Sequence, residues 1–226
     1  MEPLPFLIEK NGILELNEKL LEIIKQSYNP RLLLIYGKAR QGKSTTLNQL
    51  IRGNKNTWTY KNSSPFESKT RQESVTIGCY LYGPIKISEI INRHNLKCKI
   101  KDDFDVFFCD TEGLHSINGQ SKELIPGILT LLQICTFSII MINSVPSVDD
   151  LSQLSADIQF SKIFKQINKD LQFPSDIKDN LIINGYNIMI EKSNNNLKTK
   201  DLNEIVKILI EEIYNYPVFL NTFKNI

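Results

Sequence analysis

Eight consecutive residues, Gly37-Lys38-Ala39-Arg40-Gln41-Gly42-Lys43-Ser44, fit the pattern G-x-x-x-x-G-K-[ST] at every position. The spacing has a chemical reason. A turn that wraps a phosphate must point successive backbone N–H groups inward, and glycines permit the conformations this requires. Lys43 then reaches the terminal phosphates as a point charge. Ser44 falls on the first turn of the following helix, where a hydroxyl can ligate Mg²⁺ and the helix N-terminus attracts the anion. A flexible glycine turn can match by chance. Placement after an apolar run and before a helical pattern argues for the phosphate.

Further along, Asp110-Thr111-Glu112-Gly113 closes the apolar run at 106–109. An Asp at the carboxyl end of a buried strand is well placed to hold Mg²⁺ through water. Gly113 can offer its N–H to a γ-phosphate and move when that phosphate leaves. Asp and Gly also favour ordinary strand-to-loop turns, so it is the pairing with the upstream loop that gives these residues weight. Thr76, in Ser74-Val75-Thr76-Ile77-Gly78, has two readings: a hydroxyl that completes the Mg²⁺ shell, or simply a β-former.

The elements that must position these groups follow from hydrophobic period. Helical spacing covers 13–28 and ends at Asn29-Pro30. The run at 31–36 has the continuous apolar character of a strand buried on both faces. A helix is expected over 43–52, a polar surface loop over 53–74, and strands over 75–81, 106–109 and 137–142. Further helices are expected over 124–134, 151–167 and 202–214, with a strand at 181–183. Strand, glycine loop and helix in that order is what a phosphate loop needs. The alternation predicts a single α/β domain over 1–226, its mostly parallel sheet covered by helices on both faces.

Composition narrows the function classes. The chain has 226 residues, 41% of them hydrophobic and 23% charged, enough to build a buried core. The net charge of +2 argues against bulk nucleic-acid binding. Four cysteines without CxxC spacing and two histidines make a zinc-type site improbable, and the thiols read as reduced. No secretory signal opens the chain, and the apolar stretch at 125–145 is interrupted by Pro126, Gln133, Thr136 and Asn143. A cytoplasmic protein without a membrane anchor in this chain is the expectation.

In combination, these motifs resemble the GTPase domain of the guanylate-binding protein and atlastin group of the dynamin superfamily. Asp110-Thr111-Glu112-Gly113-Leu114 is similar to that group's DTEGL, and Arg40 stands where the group carries an arginine in its phosphate loop. Ser74-Val75-Thr76-Ile77-Gly78 is similar to its S-x-T-x-G segment. Pro5 to Gly12, with Leu14 and Asn17, resembles the lead-in to its phosphate loop, and Ile142-Asn143-Ser144 its Y-N-S turn. The likeness runs to about Lys165.

The resemblance implies a three-layer P-loop NTPase sandwich that binds Mg²⁺·GTP and hydrolyses it to GDP on G-domain dimerisation. It implies nucleotide contacts from Gly37, Lys38, Arg40, Gln41, Gly42, Lys43, Ser44, Thr45, Thr76 and Gly113, and metal contacts from Ser44, Thr76 and Asp110. Arg40, Lys43, Ser74 and Glu112 would serve catalysis, Arg40 as an internal finger on the developing charge. A stalk has no counterpart in this chain.

The chain departs from the group at the base-reading turn. The group's Arg-Asp pair is absent, and so is any N-K-x-D. The strand at 181–183 runs instead into Asn184-Gly185-Tyr186-Asn187. Tyr186 would stack on the purine and Asn187 accept one hydrogen bond from it, or both are turn residues. Two rivals to the GTPase therefore stand: a nucleotide-gated binding module with little hydrolysis, and an NTPase of relaxed base selectivity that includes ATP. Among lesser features, His115 and His94 read as polar loop and surface residues, and Lys97, Lys99 and Lys101 as the solvent face of an edge strand.

Overall fold

The computed structural model describes residues 2–38, 42–53, 64–66, 78–97, 100, 102–111, 127, 137–141 and 148. The apolar run at 31–36 becomes a strand, β4 (Arg31–Gly37), with all seven residues buried. A strand with no exposed face must lie inside a sheet, and β4 does. It pairs in parallel with β6 (Asp105–Thr111), through Leu34 opposite Cys109, and with β7 (Phe137–Met141), through Gly37 opposite Met141.

Two more strands extend the sheet beyond β6. β5 (Cys79–Lys86) runs antiparallel to β6, and β1 (Leu4–Pro5) antiparallel to β5, giving the order β1-β5-β6-β4-β7. The sheet is therefore mixed rather than mostly parallel among the described residues. β5 shows the reason: its residues alternate between buried and partly exposed, as a one-sided antiparallel strand does, while β4 and β6 are buried throughout.

Alternate residues of β4 feed two cores. Leu33 and Ile35 pack with Leu47, Leu50 and Ile51 of α2 (Lys43–Arg52) and with Ile87, Ile90 and Ile91 of α3 (Ile87–Arg93). Leu32, Leu34 and Tyr36 pack with Leu20 and Ile24 of α1 (Glu18–Gln26). Helices thus cover both faces of an α/β sheet.

The expected helix over 13–28 is only half helix. Ile13–Leu16 is a strand, β3, hairpinned to β2 (Leu7–Lys10). Asn11 and Gly12 at the turn have φ of 54° and 79°, the left-handed pair that a two-residue hairpin demands. Helix begins only after Asn17, whose side-chain oxygen accepts from the amide of Leu20 and whose Nδ2 donates to Pro5 O at 2.9 Å.

The strands expected at 31–36, 106–109 and 137–142 and the helix at 43–52 correspond to β4, β6, β7 and α2. The strand expected over 75–81 appears as β5, from Cys79 onward, and reaches Lys86. α3 had no counterpart among the expected elements. The expected helices over 124–134, 151–167 and 202–214 and the strand at 181–183 lie outside the described residues, save for the helical Gly127.

His94 is not a surface residue. It is 1% exposed, and Nε2 lies 2.8 Å from Leu50 O at the end of α2. Arg93 likewise donates to Ile51 O, so α3 supplies both partners for the last carbonyls of α2. The two helices meet closely there: a Cβ on Gly53, whose φ is +78°, would stand 2.3 Å from Arg93 O.

Candidate functional site

The parallel pairing of β4 with β6 brings two distant segments to one edge of the sheet. β4 ends at Gly37, where the glycine loop begins, and β6 ends at Asp110 and Thr111. Thr111 Oγ1 donates to Ile35 O at 3.0 Å, which ties the carboxyl ends of the two strands together. In open α/β sheets this edge is where ligands bind.

Gly37 and Gly42 bracket the loop with φ of 143° and 82°. Both values lie where a side chain would be strained, so the glycines are required by the backbone path itself. Gly42 heads α2 and brings no side-chain cap to it. The first turn of α2 also lacks an acidic residue, whereas α1 has Glu18 and α3 has Glu89 in that position. The positive end of the α2 dipole thus has no acidic residue of its own helix beside it.

Lys43 and Ser44 occupy that first turn. Lys43 is buried, and its Nζ donates to Lys38 O at 3.0 Å, so the amine lies back across its own loop. Ser44 Oγ donates to Asp110 Oδ2 at 2.6 Å, across 66 residues of sequence. Asp110 is wholly buried. A hydroxyl and a carboxylate in contact are hard oxygen donors, which fit magnesium's preference for oxygen over nitrogen or sulfur.

Of the expected site residues, the structure gathers Gly37, Lys38, Gly42, Lys43, Ser44 and Asp110. Thr45 follows on α2, half-buried. Arg40, Gln41, Ser74, Thr76, Glu112, Gly113, Tyr186 and Asn187 lie outside the described residues, as does His115.

Two residues that support the site were not singled out from the sequence. Thr111 fastens the strand ends. Asn48, one turn beyond Ser44, is buried and bonds to the main chain of Phe66. Its only sequence signal was an amide among the apolar residues of α2. The 53–74 connection, expected to run over the surface, therefore dips into the core at Phe66, which is 3% exposed. Among the described residues no helix is long and apolar enough to cross a membrane. No protein-family model matches the chain, and no curated protein matches it. The functional reading consequently rests on the residues and their geometry.

Proposed function

We propose that the chain is a Mg²⁺-dependent nucleoside triphosphatase that prefers GTP, built as a P-loop three-layer sandwich and stimulated when two such domains meet. One observation carries the reading: Ser44 and Asp110, 66 residues apart, meet at 2.6 Å beside Lys43 and the uncapped start of α2. A chance glycine turn has no reason to face a buried carboxylate.

In this reading the amides following Gly42 and the amine of Lys43 hold the β- and γ-phosphates. To do so Lys43 exchanges a neutral carbonyl, Lys38 O, for a charged phosphate oxygen, which is the stronger partner. Ser44 and Asp110, with Thr76, would hold magnesium, which would neutralise charge on the β- and γ-oxygens. The Ser44 hydroxyl, now donating to Asp110, would turn to present its lone pair. Ser74 and Glu112 would orient the attacking water, Gly113 would sense the γ-phosphate, and Arg40 would neutralise charge as the γ-phosphoryl transfers. An arginine so placed is worth roughly 10³–10⁵ in rate.

The second reading, an NTPase of relaxed base selectivity that includes ATP, is favoured by one sequence fact: no Arg-Asp pair follows the run at 181–183, where Tyr186-Asn187 stand. Competition among GTP, ATP and XTP for the purified chain, with and without Mg²⁺, separates the two. Turnover per molecule should rise with protein concentration and vanish in Lys43→Ala and Arg40→Ala. GTP binding without turnover at any concentration would leave the binding module. No affinity for any purine triphosphate would end both readings.

A further inference from the structure

Asp110 comes to the site on β6, and the strand beside it decides what encloses it. Phe108 of β6 joins the core beneath α2, and Asp110, two residues on, lies on the same face of the sheet. That is why Ser44 of α2 can donate to it. β5 runs antiparallel to β6 with Tyr80 directly opposite Asp110 and Tyr82 opposite Phe108. Residues so paired share a face, with Cβ atoms about 4.5–5.5 Å apart. On its other side Tyr80 pairs with Pro5 of β1, which lies beyond β5 in the sheet. A row of Pro5, Tyr80 and Asp110 thus crosses the α2 face, with Tyr80 between the carboxylate and β1. Burial follows that order. Tyr80 packs against the core and stays partly exposed, whereas Asp110 is 0% exposed.

We propose that Tyr80 is a positioning residue for magnesium, its ring keeping water from the flank of Asp110. The inference rests on the metal-holding role given above to Ser44 and Asp110. A dry carboxylate is costly until a cation faces it, and it attracts that cation more strongly than it would beside bulk water. Water admitted at the flank would solvate the metal-free carboxylate and compete with the Ser44 hydroxyl for Oδ2, so the metal would gain less by binding. The ring performs this task without its hydroxyl. The amine of Lys43 and the amides after Gly42 belong to α2, so the phosphate contacts they make do not depend on Tyr80. Tyr80 should therefore matter for the magnesium requirement and hardly at all for nucleotide affinity without metal.

The test titrates Mg²⁺ against binding of a fluorescent, slowly hydrolysed GTP analogue by the full chain and by Tyr80→Ala, Tyr80→Phe and Tyr82→Ala. Tyr82 is the control: its ring packs on Phe66 on the same face of β5, opposite Phe108 and not Asp110. If Tyr80→Ala does not fold, Tyr80→Val, which suits a strand, stands in for it. The Mg²⁺ needed for half-maximal binding should rise about tenfold in Tyr80→Ala, the low end for a group that supports a metal's ligands. It should stay close to the wild-type value in Tyr80→Phe and Tyr82→Ala, and affinity measured in EDTA should be unchanged in all three. An unchanged requirement in Tyr80→Ala overturns the inference. An equal rise in Tyr82→Ala would mean general loosening of the core, and an equal rise in Tyr80→Phe would move the role to the hydroxyl; either overturns it too. All three outcomes leave the proposed function standing. A wild-type chain whose triphosphate binding is indifferent to Mg²⁺ would remove the proposed function and this inference together.

Discussion

The sheet has two polar ends, and they are built in opposite ways. At the amino ends of β4 and β6 the carboxylates are locked by main-chain donors. Asp105 accepts from Tyr28 N at 2.6 Å and pairs with Lys86 Nζ at 2.9 Å, and Lys86 in turn lies 5.3 Å from the centre of the Tyr28 ring. Asp103 accepts from the amides of Ser88 and Phe104 and from the Ser88 hydroxyl. Arg31, its guanidinium 5.7 Å from the Phe104 ring centre, is lowered to about 10 by burial and still carries its charge at neutral pH.

At the carboxyl ends, by contrast, Ser44 and Lys43 make bonds that can be exchanged. A hydroxyl proton rotates, and a lysine on a carbonyl gives up a neutral acceptor. Both ends hold strands together, the carboxyl end through Thr111 and Ile35, but in the proposed function only the carboxyl end exchanges its partners for a ligand.

That contrast predicts opposite phenotypes for substitutions at the two ends. The largest effect belongs to Lys43→Ala. Loss of a buried charge on the phosphates should weaken triphosphate binding by about a hundredfold or more, roughly 2.7 kcal/mol. The melting temperature should stay within about 2 °C, as calorimetry would show. Asp105→Ala should do the reverse. It removes acceptors from Tyr28 N and Lys86, costing about 2–3 kcal/mol and lowering the melting temperature by about 5–10 °C, while nucleotide affinity holds. If both variants lose both properties, the two ends are not separate. Ser44→Ala is next in size: the Mg²⁺ needed for half-maximal triphosphate binding should rise about tenfold, with little change in affinity measured without the metal.

The two ends also differed in how far they could be read from sequence. The glycine loop and Asp110 were legible because their residue types are tied to a fixed local spacing, and the buried runs of β4 and β6 marked the strands that carry them. The amino end was not legible. The bonds joining Tyr28, Lys86, Asp103 and Asp105 depend on strand register, which single residues do not announce.

His94 and Asn48 were opaque for a related reason. A buried imidazole on Leu50 O and a buried amide on Phe66 look like any surface polar residue until the partner backbone is in place. The β2–β3 hairpin is a different case, since Asn11-Gly12 between alternating apolar residues was a usable turn signal. Ile13, Leu16, Leu20, Ile23 and Ile24 also suit a helix, and that longer period obscured it. The mixed sheet was not visible: the alternation along β5 is one of burial, which its largely apolar residues do not display, and its direction relative to β6 had no sequence mark.

The smallest predicted effect tests the locked end by pH. Burial pushes the Asp103 carboxyl up, but the bonds from Ser88 and Phe104 and the nearby charge of Lys86 outweigh it, and the net shift is below the usual carboxylate value. A carboxylate with a lowered folded-state pKa adds stability at every pH above its unfolded value, about 4. That contribution disappears as the pH falls through the lower folded value. Asp103→Asn keeps an acceptor for Ser88 but cannot titrate. The gap in melting temperature between wild type and Asp103→Asn should therefore be constant above about pH 5 and narrow steadily as the pH falls below about 4. A gap that stayed level through that range would mean that hydrogen bonding by shape, and not the carboxylate charge, fastens the start of α3. The part of the lock that Asp103 supplies would then owe nothing to its charge, and the ion pair of Asp105 with Lys86 would be the electrostatic part of this end.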